Sequence, residues 1–265
     1  MHPLFRSEID AVIRLPIRHA AIAATLVSGL TACSSGSDQG SSVYDYPAVG
    51  AYAGSDFRGS PGSNAFRMAV VGTREYWLLH GDYTNAGFAL RGFATGADVV
   101  PYPNPYTTGV NFGLPTQSLV NLSTRYDSYS GNLSGSMTTA APVFTVGFSG
   151  VYYTPIGLTV SAVSGQWPLL TDLNGRTVSM NVAPGGGFSA TTSASCVFTG
   201  DFTNSASVAG LLLINLNDFS GCLGNPNAYS GVVFLERTAG TGQQQVLMAA
   251  NNASRTAGVG LSGVR

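Results

Sequence analysis

A series of short strand-forming runs, each five or six residues long, constrains the fold of this chain more than any other feature. Gly, Pro, Asn and Ser separate the runs, and no apolar stripe of helical period occurs from Val49 onward. Only 9% of the residues are charged, so the chain has few charges with which to protect exposed sheet edges, and closing antiparallel meanders into barrels removes such edges. We therefore predict an all-β, antiparallel, barrel-like fold after a cleaved N-terminal signal helix. The predicted strands are Phe66–Val71, Glu75–His80, Phe88–Phe93, Val143–Phe148, Val178–Val182, Leu211–Leu216, Val232–Glu236 and Gln245–Ala249.

The strands fall into two series, which predicts two tandem modules. Gly50-Ala51-Tyr52 opens one series, and Gly165-Gln166-Trp167 opens a similar one 115 residues later. We place the first β module at residues 48–156 and the second at residues 157–265, with the boundary near Thr154-Pro155-Ile156-Gly157. One larger sheet is the alternative.

The N-terminus carries the pattern of an export signal. Arg14 and Arg18 precede an apolar run at residues 20–29, which is too short to span a bilayer but suits the core of a signal peptide. Leu30-Thr31-Ala32-Cys33 follows and resembles the lipobox of bacterial lipoproteins. The resemblance implies cleavage after residue 32 and acylation of Cys33 with diacylglycerol and a further chain such as palmitate. The acidic residues before Arg14 depart from this pattern, and a true start nearer Val12 or Leu15 would explain them.

Residues 33–47 are expected to form the acylated cysteine and a flexible Gly/Ser-rich tether. In enteric-type sorting an Asp after the cysteine favours the inner membrane, so Ser34 implies the outer membrane, on its periplasmic face or at the cell surface. Several acyl chains give stable anchoring, because each buried CH₂ contributes about 0.8 kcal/mol.

Two further resemblances lie in the second module. Gly165-x-Trp167 resembles the opening of lipocalin-type barrels, in which the aromatic residue plugs the barrel floor. Residues 187–192, Cys196-Val-Phe-Thr-Gly200 and residues 251–258 are similar to uncharacterised Gly-rich lipoproteins of Gram-negative bacteria. That resemblance implies export and a β fold, without any assigned activity.

Once Cys33 is acylated, two cysteines remain, Cys196 and Cys222. The periplasm is oxidising, so we predict a disulfide between them. Their spacing of 26 residues is unlike a CxxC redox or metal motif, and His80 is the one histidine beyond the signal segment. We therefore expect neither a metal nor a cofactor.

Catalytic patterns are weak. His80 is expected at a strand end as an ordinary polar residue, and no G-x-S-x-G elbow accompanies it. Glu75 and Glu236 are the two glutamates beyond the signal segment, and no pair of carboxylates is singled out for glycoside hydrolysis. The G-x-G-x-x-G match at residues 258–263 lacks the following helix that a dinucleotide site needs.

Residues 101–115 are predicted to form a loop stiffened by four prolines. Its aromatic residues Tyr102, Tyr106 and Phe112 are candidate binding residues, because long loops with exposed rings often carry recognition. The alternative is that these rings pack back on the barrel.

We expect an outer-membrane lipoprotein that binds or scaffolds an envelope component and is not an enzyme. Removing residues 1–32 leaves nine Arg, no Lys and a net charge of −2, which argues against nucleic acid as a partner. An envelope protein, a glycan or a small apolar ligand stays possible. The alternatives are a lipocalin-like carrier and a periplasmic glycan or peptide hydrolase. A transmembrane β-barrel is disfavoured, since the acylated cysteine already supplies an anchor.

Overall fold

The computed structural model describes residues 43–44, 49–58, 63–72, 75–84, 87–96, 106–113, 117–127, 129–140, 143, 145–153, 159–218, 221–222, 227–238 and 241–265. The signal segment, Cys33 and Tyr102 lie outside these residues. The described part is all-β, and it forms two antiparallel eight-stranded barrels in tandem within one compact unit, Gly40–Arg265. The predictions of fold class and of two tandem barrels are thus confirmed. No helix in this part is long and apolar enough to cross a membrane.

Barrel 1 is an antiparallel meander that closes by pairing its last strand with its first. A two-residue strand, β1 (Val43–Tyr44), adds to it by pairing with Tyr126 and Asp127. The barrel strands are β2 (Gly50–Arg58), β3 (Ala65–Val71), β4 (Glu75–Thr84), β5 (Gly87–Gly96), β6 (Tyr106–Gly113), β7 (Ser118–Asp127), β8 (Asn132–Thr139) and β9 (Thr145–Tyr152).

Barrel 2 begins after a four-residue helix, α1 (Val160–Val163), and its first and last strands pair over Leu170–Asp172 and Leu261–Gly263. Positive-φ glycines such as Gly175 and Gly186 lie in its tight turns. The barrel strands are β10 (Gly165–Asp172), β11 (Thr177–Val182), β12 (Gly187–Thr192), β13 (Val197–Asn204), β14 (Leu212–Asp218), β15 (Asn227–Arg237), β16 (Gln244–Asn252) and β17 (Gly258–Val264).

Three local expectations differ from the structure. Val43 and Tyr44 form a strand although the composition there predicts a tether. Residues 106–113 of the predicted 101–115 loop form β6, since the prolines lie outside this stretch and the β-branched and aromatic residues within it can pair with β5 and β7. The helix α1 was not predicted, because four residues are too few to show a helical period.

The burial pattern of the strands shows which faces the barrels share. β11 and β12 alternate between buried and exposed residues, as expected where one face meets solvent. All seven residues of β3 and eight of the nine in β16 are instead buried. Their second faces pack in an apolar layer between the barrels, which also includes Trp77, Phe93 and Phe234. The two barrels therefore share a core as well as a linker.

Candidate functional site

The interior of barrel 2 is filled by side chains. Trp167 is fully buried, and Phe198, Phe202, Met180 and Met248 pack in the same core with at most 2% of their surface exposed. Small eight-stranded barrels have interiors just wide enough for side chains or for one small ligand. Here the side chains occupy that space.

Arg265 closes one end of barrel 2. Its guanidinium carbon lies 4.1 Å from the centre of the Trp167 ring. The guanidinium nitrogens donate to the carbonyl oxygens of Ser164 at 2.6 Å and Ala162 at 2.9 Å, and to the side-chain oxygen of Gln244. The indole Nε1 of Trp167 donates to a carbonyl of α1 at 2.8 Å. These bonds link α1 to β10 and to the residue that follows β17, next to the short pairing that joins the first and last strands of the barrel.

The interior of barrel 1 contains a buried polar group centred on His80. His80 is 0% exposed and lies within β4, so its expected position at a strand end is wrong. Its Nδ1 is 3.1 Å from Ser63 Oγ, its Nε2 is 3.3 Å from Asn111 Oδ1, and its ring stacks on Phe57. Burial lowers the pKa of His80 to about 4. Such a ring is neutral at physiological pH.

A serine, a histidine and an asparagine in this order resemble the components of a nucleophilic site. The surroundings do not suit that chemistry, because His80 and Asn111 have no exposed surface through which a substrate could reach them. Asn111 also carries no charge with which to stabilise a protonated imidazole. Among the described residues, these contacts link β4, β6 and the segment before β3 within the core of barrel 1.

A buried ion pair crosses the layer between the barrels. Arg67 of β3 binds Glu236 of β15 through two nitrogens, and their side chains are 7% and 13% exposed. Arg67 also donates to the carbonyl of Phe66 at 2.8 Å, and Tyr153 donates to Glu236 at 3.4 Å. The Glu236 carboxylate is thus occupied on both oxygens by structural contacts.

Side chains of barrel 2 also form hydrogen bonds with backbone groups of the part of β5 that does not pair with β6. Gln245 Oε1 accepts from the amide of Phe88 at 2.8 Å, and its Nε2 donates to the Phe88 carbonyl at 2.6 Å. The amide of Leu90 donates to Ser262 Oγ at 3.3 Å. An unpaired strand edge is a site for unwanted pairing, and barrel 2 covers this one.

The glycine motif at residues 258–263 has a packing role. A Cβ atom built on Gly258 lies 2.6 Å from the Phe112 ring, and one built on Gly260 lies 2.9 Å from Leu90. These glycines and Ser262 alternate with Val259 and Leu261, which face the core of barrel 2. The motif therefore lets β17 approach barrel 1 closely.

Outside barrel 1 lies an open groove of about 710 Å³, here called the outer groove. The ring of Tyr83, 46% exposed, stands at the groove and packs over the Arg67 guanidinium at 5.2 Å. Asp56 accepts a hydrogen bond from Ser149 at 3.0 Å within it. The other lining residues are Ala53, Gly54, Ser55, Asn132, Leu133, Gly150 and Val151.

A smaller cleft of about 450 Å³ lies between the barrels, lined by Glu75 and Trp77 from barrel 1 and by Ser205, Ser207 and Asn215 from barrel 2, among others. Burial raises the pKa of Glu75 above its ordinary value, and the charge of Arg255, 3.8 Å away, opposes that shift. No group of three or more His, Cys, Asp or Glu residues in the described ranges could hold a metal ion.

The predicted disulfide between Cys196 and Cys222 is present, with the two Cα atoms 5.5 Å apart. It joins the turn before β13 to the segment after β14. Asp218 accepts from the Cys222 amide at 2.8 Å, and Arg176 donates to the Cys222 carbonyl at 3.1 Å. The bond therefore holds one end of barrel 2.

The candidate binding aromatics do not form one surface. Phe112 is 4% exposed and stacks on Phe93 between the barrels, with the ring centres 4.9 Å apart. Its ring therefore packs against the barrels, which is the alternative given for this loop. The backbone of Tyr106 lies in β6, and Tyr102 is outside the described residues.

Sequence reasoning missed Tyr83, Asp56 and Arg67. Arg67 gave a usable signal, since a charge within the continuous apolar run Ala65–Val71 requires a buried partner. Tyr83 and Asp56 gave none, because β2, β4 and β9 meet at the groove only after folding.

No family model, curated protein or solved structure matches the chain. A function is therefore proposed from the resemblance of residues 30–33 to a lipobox and from the geometry of the two barrels.

Proposed function

We propose that this protein is an outer-membrane lipoprotein, anchored through Cys33, that binds an envelope component without catalysis. The basic flank, the apolar run and Leu30-Thr31-Ala32-Cys33 support the anchor, as they occur in the order that export and acylation require.

The observation that carries the binding role is the contrast between the filled interiors and the open exterior. Large side chains occupy the cores of both barrels, whereas the outer groove offers about 710 Å³ on the outside of barrel 1. This contrast weighs against a carrier that encloses a small apolar ligand. Arg67 and Tyr153 likewise engage Glu236, one of the two glutamates beyond residue 32, which weighs against an acid–base role for it.

The anchor also limits where the groove can lie. Val43 is ten residues beyond Cys33, and ten extended residues span at most about 35 Å. β1 pairs with the end of β7, and Asn132 at the start of β8 lines the outer groove. An acylated Cys33 therefore keeps this end of barrel 1 close to the bilayer.

Fractionation of cells that express the full chain tests the anchor. The parent is expected in the outer-membrane fraction, Cys33→Ala in the soluble fraction, and Ser34→Asp in the inner membrane. The conservative change Ser34→Ala serves as the matched control and is expected to follow the parent. Sedimentation of Cys33→Ala with membranes, at the level of the parent, contradicts the proposal.

A further inference from the structure

The outer groove combines one exposed aromatic ring with fixed hydrogen-bonding groups. One face of Tyr83 packs over Arg67, and its edge-to-face contact with Phe88 (ring centres 5.5 Å apart) holds the ring in place. A ring held in this way offers a large contact surface at low entropic cost. The exposed part of the ring faces a cavity whose other walls are mostly small or polar residues.

A bulge supplies polar backbone groups to the same cavity. The pairing of β2 with β9 shifts between Ala53 and Asp56, so that Gly54 and Ser55 lie opposite Gly150 alone. Bulges leave backbone groups outside the ladder and re-aim side chains, often beside binding sites. The shift directs Asp56 towards Ser149, whose hydroxyl donates to its carboxylate.

The charges at the groove are already paired. Arg67 is bound by Glu236, and Arg58 donates to Asp56 at 2.5 Å. Arg67 is the one Arg or Lys among the described residues that line the groove, and Glu236 already binds it, so these residues are poorly suited to a phosphate or carboxylate ligand. The exposed polar groups of the groove are instead a carboxylate, an amide and hydroxyls. Such groups can exchange hydrogen bonds with a ligand that carries many hydroxyl groups.

We propose that the outer groove binds a neutral saccharide chain. The Tyr83 ring contacts the C–H face of a sugar ring, while Asp56, Ser55 and Asn132 exchange hydrogen bonds with its hydroxyls. The proposal deepens the proposed function by naming the class of ligand, and it rests on that function for the location of the groove in the envelope.

The test uses the full acylated chain, extracted in a detergent without a sugar headgroup. Fluorescently labelled protein is applied to an array of neutral glucans, mannans, galactans and chitin fragments, with polygalacturonate as the anionic counterpart. Calorimetry with the strongest binder then gives its Kd. We expect binding to neutral glycans, with little or none to polygalacturonate.

Four variants locate the site. Tyr83→Ala is expected to raise the Kd roughly tenfold through loss of the ring contact, whereas Tyr83→Phe keeps the ring and is expected to stay within about threefold. Tyr129→Ala is the matched control, because Tyr129 is 83% exposed and does not line the groove. Glu75→Gln tests the cleft between the barrels and is expected to leave the Kd unchanged. Thermal unfolding of each variant checks that the barrels stay folded.

Three results overturn the proposal: no binding to any neutral glycan, equal weakening by Tyr83→Ala and Tyr129→Ala, or tighter binding of polygalacturonate than of the neutral chains. These outcomes do not depend on the anchor. Loss of membrane attachment is read from Cys33→Ala fractionation, so failure of the saccharide site and failure of the proposed function are distinguishable.

Discussion

Replacing Arg67 with Met leaves the Glu236 carboxylate between the barrels, and its remaining hydrogen-bond partner among the described residues is the Tyr153 hydroxyl. Removal of one member of a buried ion pair costs about 3–5 kcal/mol, since the other charge stays desolvated. Glu236 is 13% exposed and keeps one donor, so we expect a loss near the lower end, about 3 kcal/mol. The double variant Arg67→Met/Glu236→Leu removes both charges and is expected within about 1–2 kcal/mol of the parent.

The two tryptophans allow each barrel to be followed separately. Trp77 packs in the layer between the barrels, on β4 of barrel 1, and Trp167 lies in the core of barrel 2. In Trp167→Phe and Trp77→Phe backgrounds, urea unfolding is followed by fluorescence from the remaining indole. Because the barrels share a core, the parent transitions are expected to coincide. Arg67→Met is expected to lower the Trp77 midpoint and to separate it from that of Trp167.

The matched control is Arg91→Met. Arg91 forms an exposed ion pair with Asp82 at 3.4 Å, and exposed pairs contribute roughly 0–1 kcal/mol. A loss below about 1 kcal/mol in the free energy of unfolding of Arg67→Met contradicts a buried, desolvated charge at Glu236. So does a double variant whose loss equals the sum of the two single losses, because the two charges would then act independently.

Three further predictions concern the core. Burial lowers the pKa of His80 from 6.5 to about 4, so between these pH values the unfolded chain binds a proton that the folded chain does not. The free energy of unfolding is therefore expected to fall by about 3 kcal/mol as the pH drops from 6.5 to 4. Urea unfolding at a series of pH values measures this, and a His80→Gln variant with the same acid dependence contradicts it. Reducing the Cys196–Cys222 disulfide, or making Cys196→Ser, is expected to lower the free energy of unfolding of barrel 2 by about 3 kcal/mol; unchanged unfolding under reducing conditions argues against this. Gly258→Ala is expected to cost about 1–3 kcal/mol by overpacking the layer between the barrels, whereas Gly185→Ala, built in open space, is expected to cost less than about 0.5 kcal/mol; equal costs in thermal unfolding rule out the close approach.

Much of the architecture could be predicted from local patterns. Alternating runs such as Val178–Val182 lie in strands with one face in a core, and turn residues at regular intervals mark the hairpins of both barrels. The Cys196–Cys222 bond was predicted by counting the cysteines that remain if Cys33 is acylated, and the structure contains it. These predictions depend only on residues that are neighbours in the sequence or on the number of cysteines, and both can be read from the sequence.

The contact between the barrels could not be predicted in the same way. Arg67 and Glu236 lie 169 residues apart, and the residues around each of them do not indicate which residue is its partner. Continuous apolar runs such as Ala65–Val71 do indicate strands buried on both faces, but not which surface covers them. The apparent nucleotide motif at residues 258–263 shows the same limit, because Gly258 lies against the Phe112 ring and Gly260 against Leu90, two residues of barrel 1 that are distant in sequence.

The candidate site was the least predictable part. The aromatic residues of the run at residues 101–115 were candidates for ligand binding, but Phe112 packs between the barrels. Tyr83 is the second-last residue of β4 and lies in a short polar stretch, Asp82–Thr84. It becomes a site residue only because the β2–β9 bulge forms a groove beside it.

Peptide mass spectrometry of the mature protein, purified from its own envelope, tests the central proposal most directly. We expect the mature chain to start at residue 33 and its first peptide to carry a diacylglyceryl group on the Cys33 sulfur. An unmodified Cys33, or a mature N-terminus at any other residue, contradicts it.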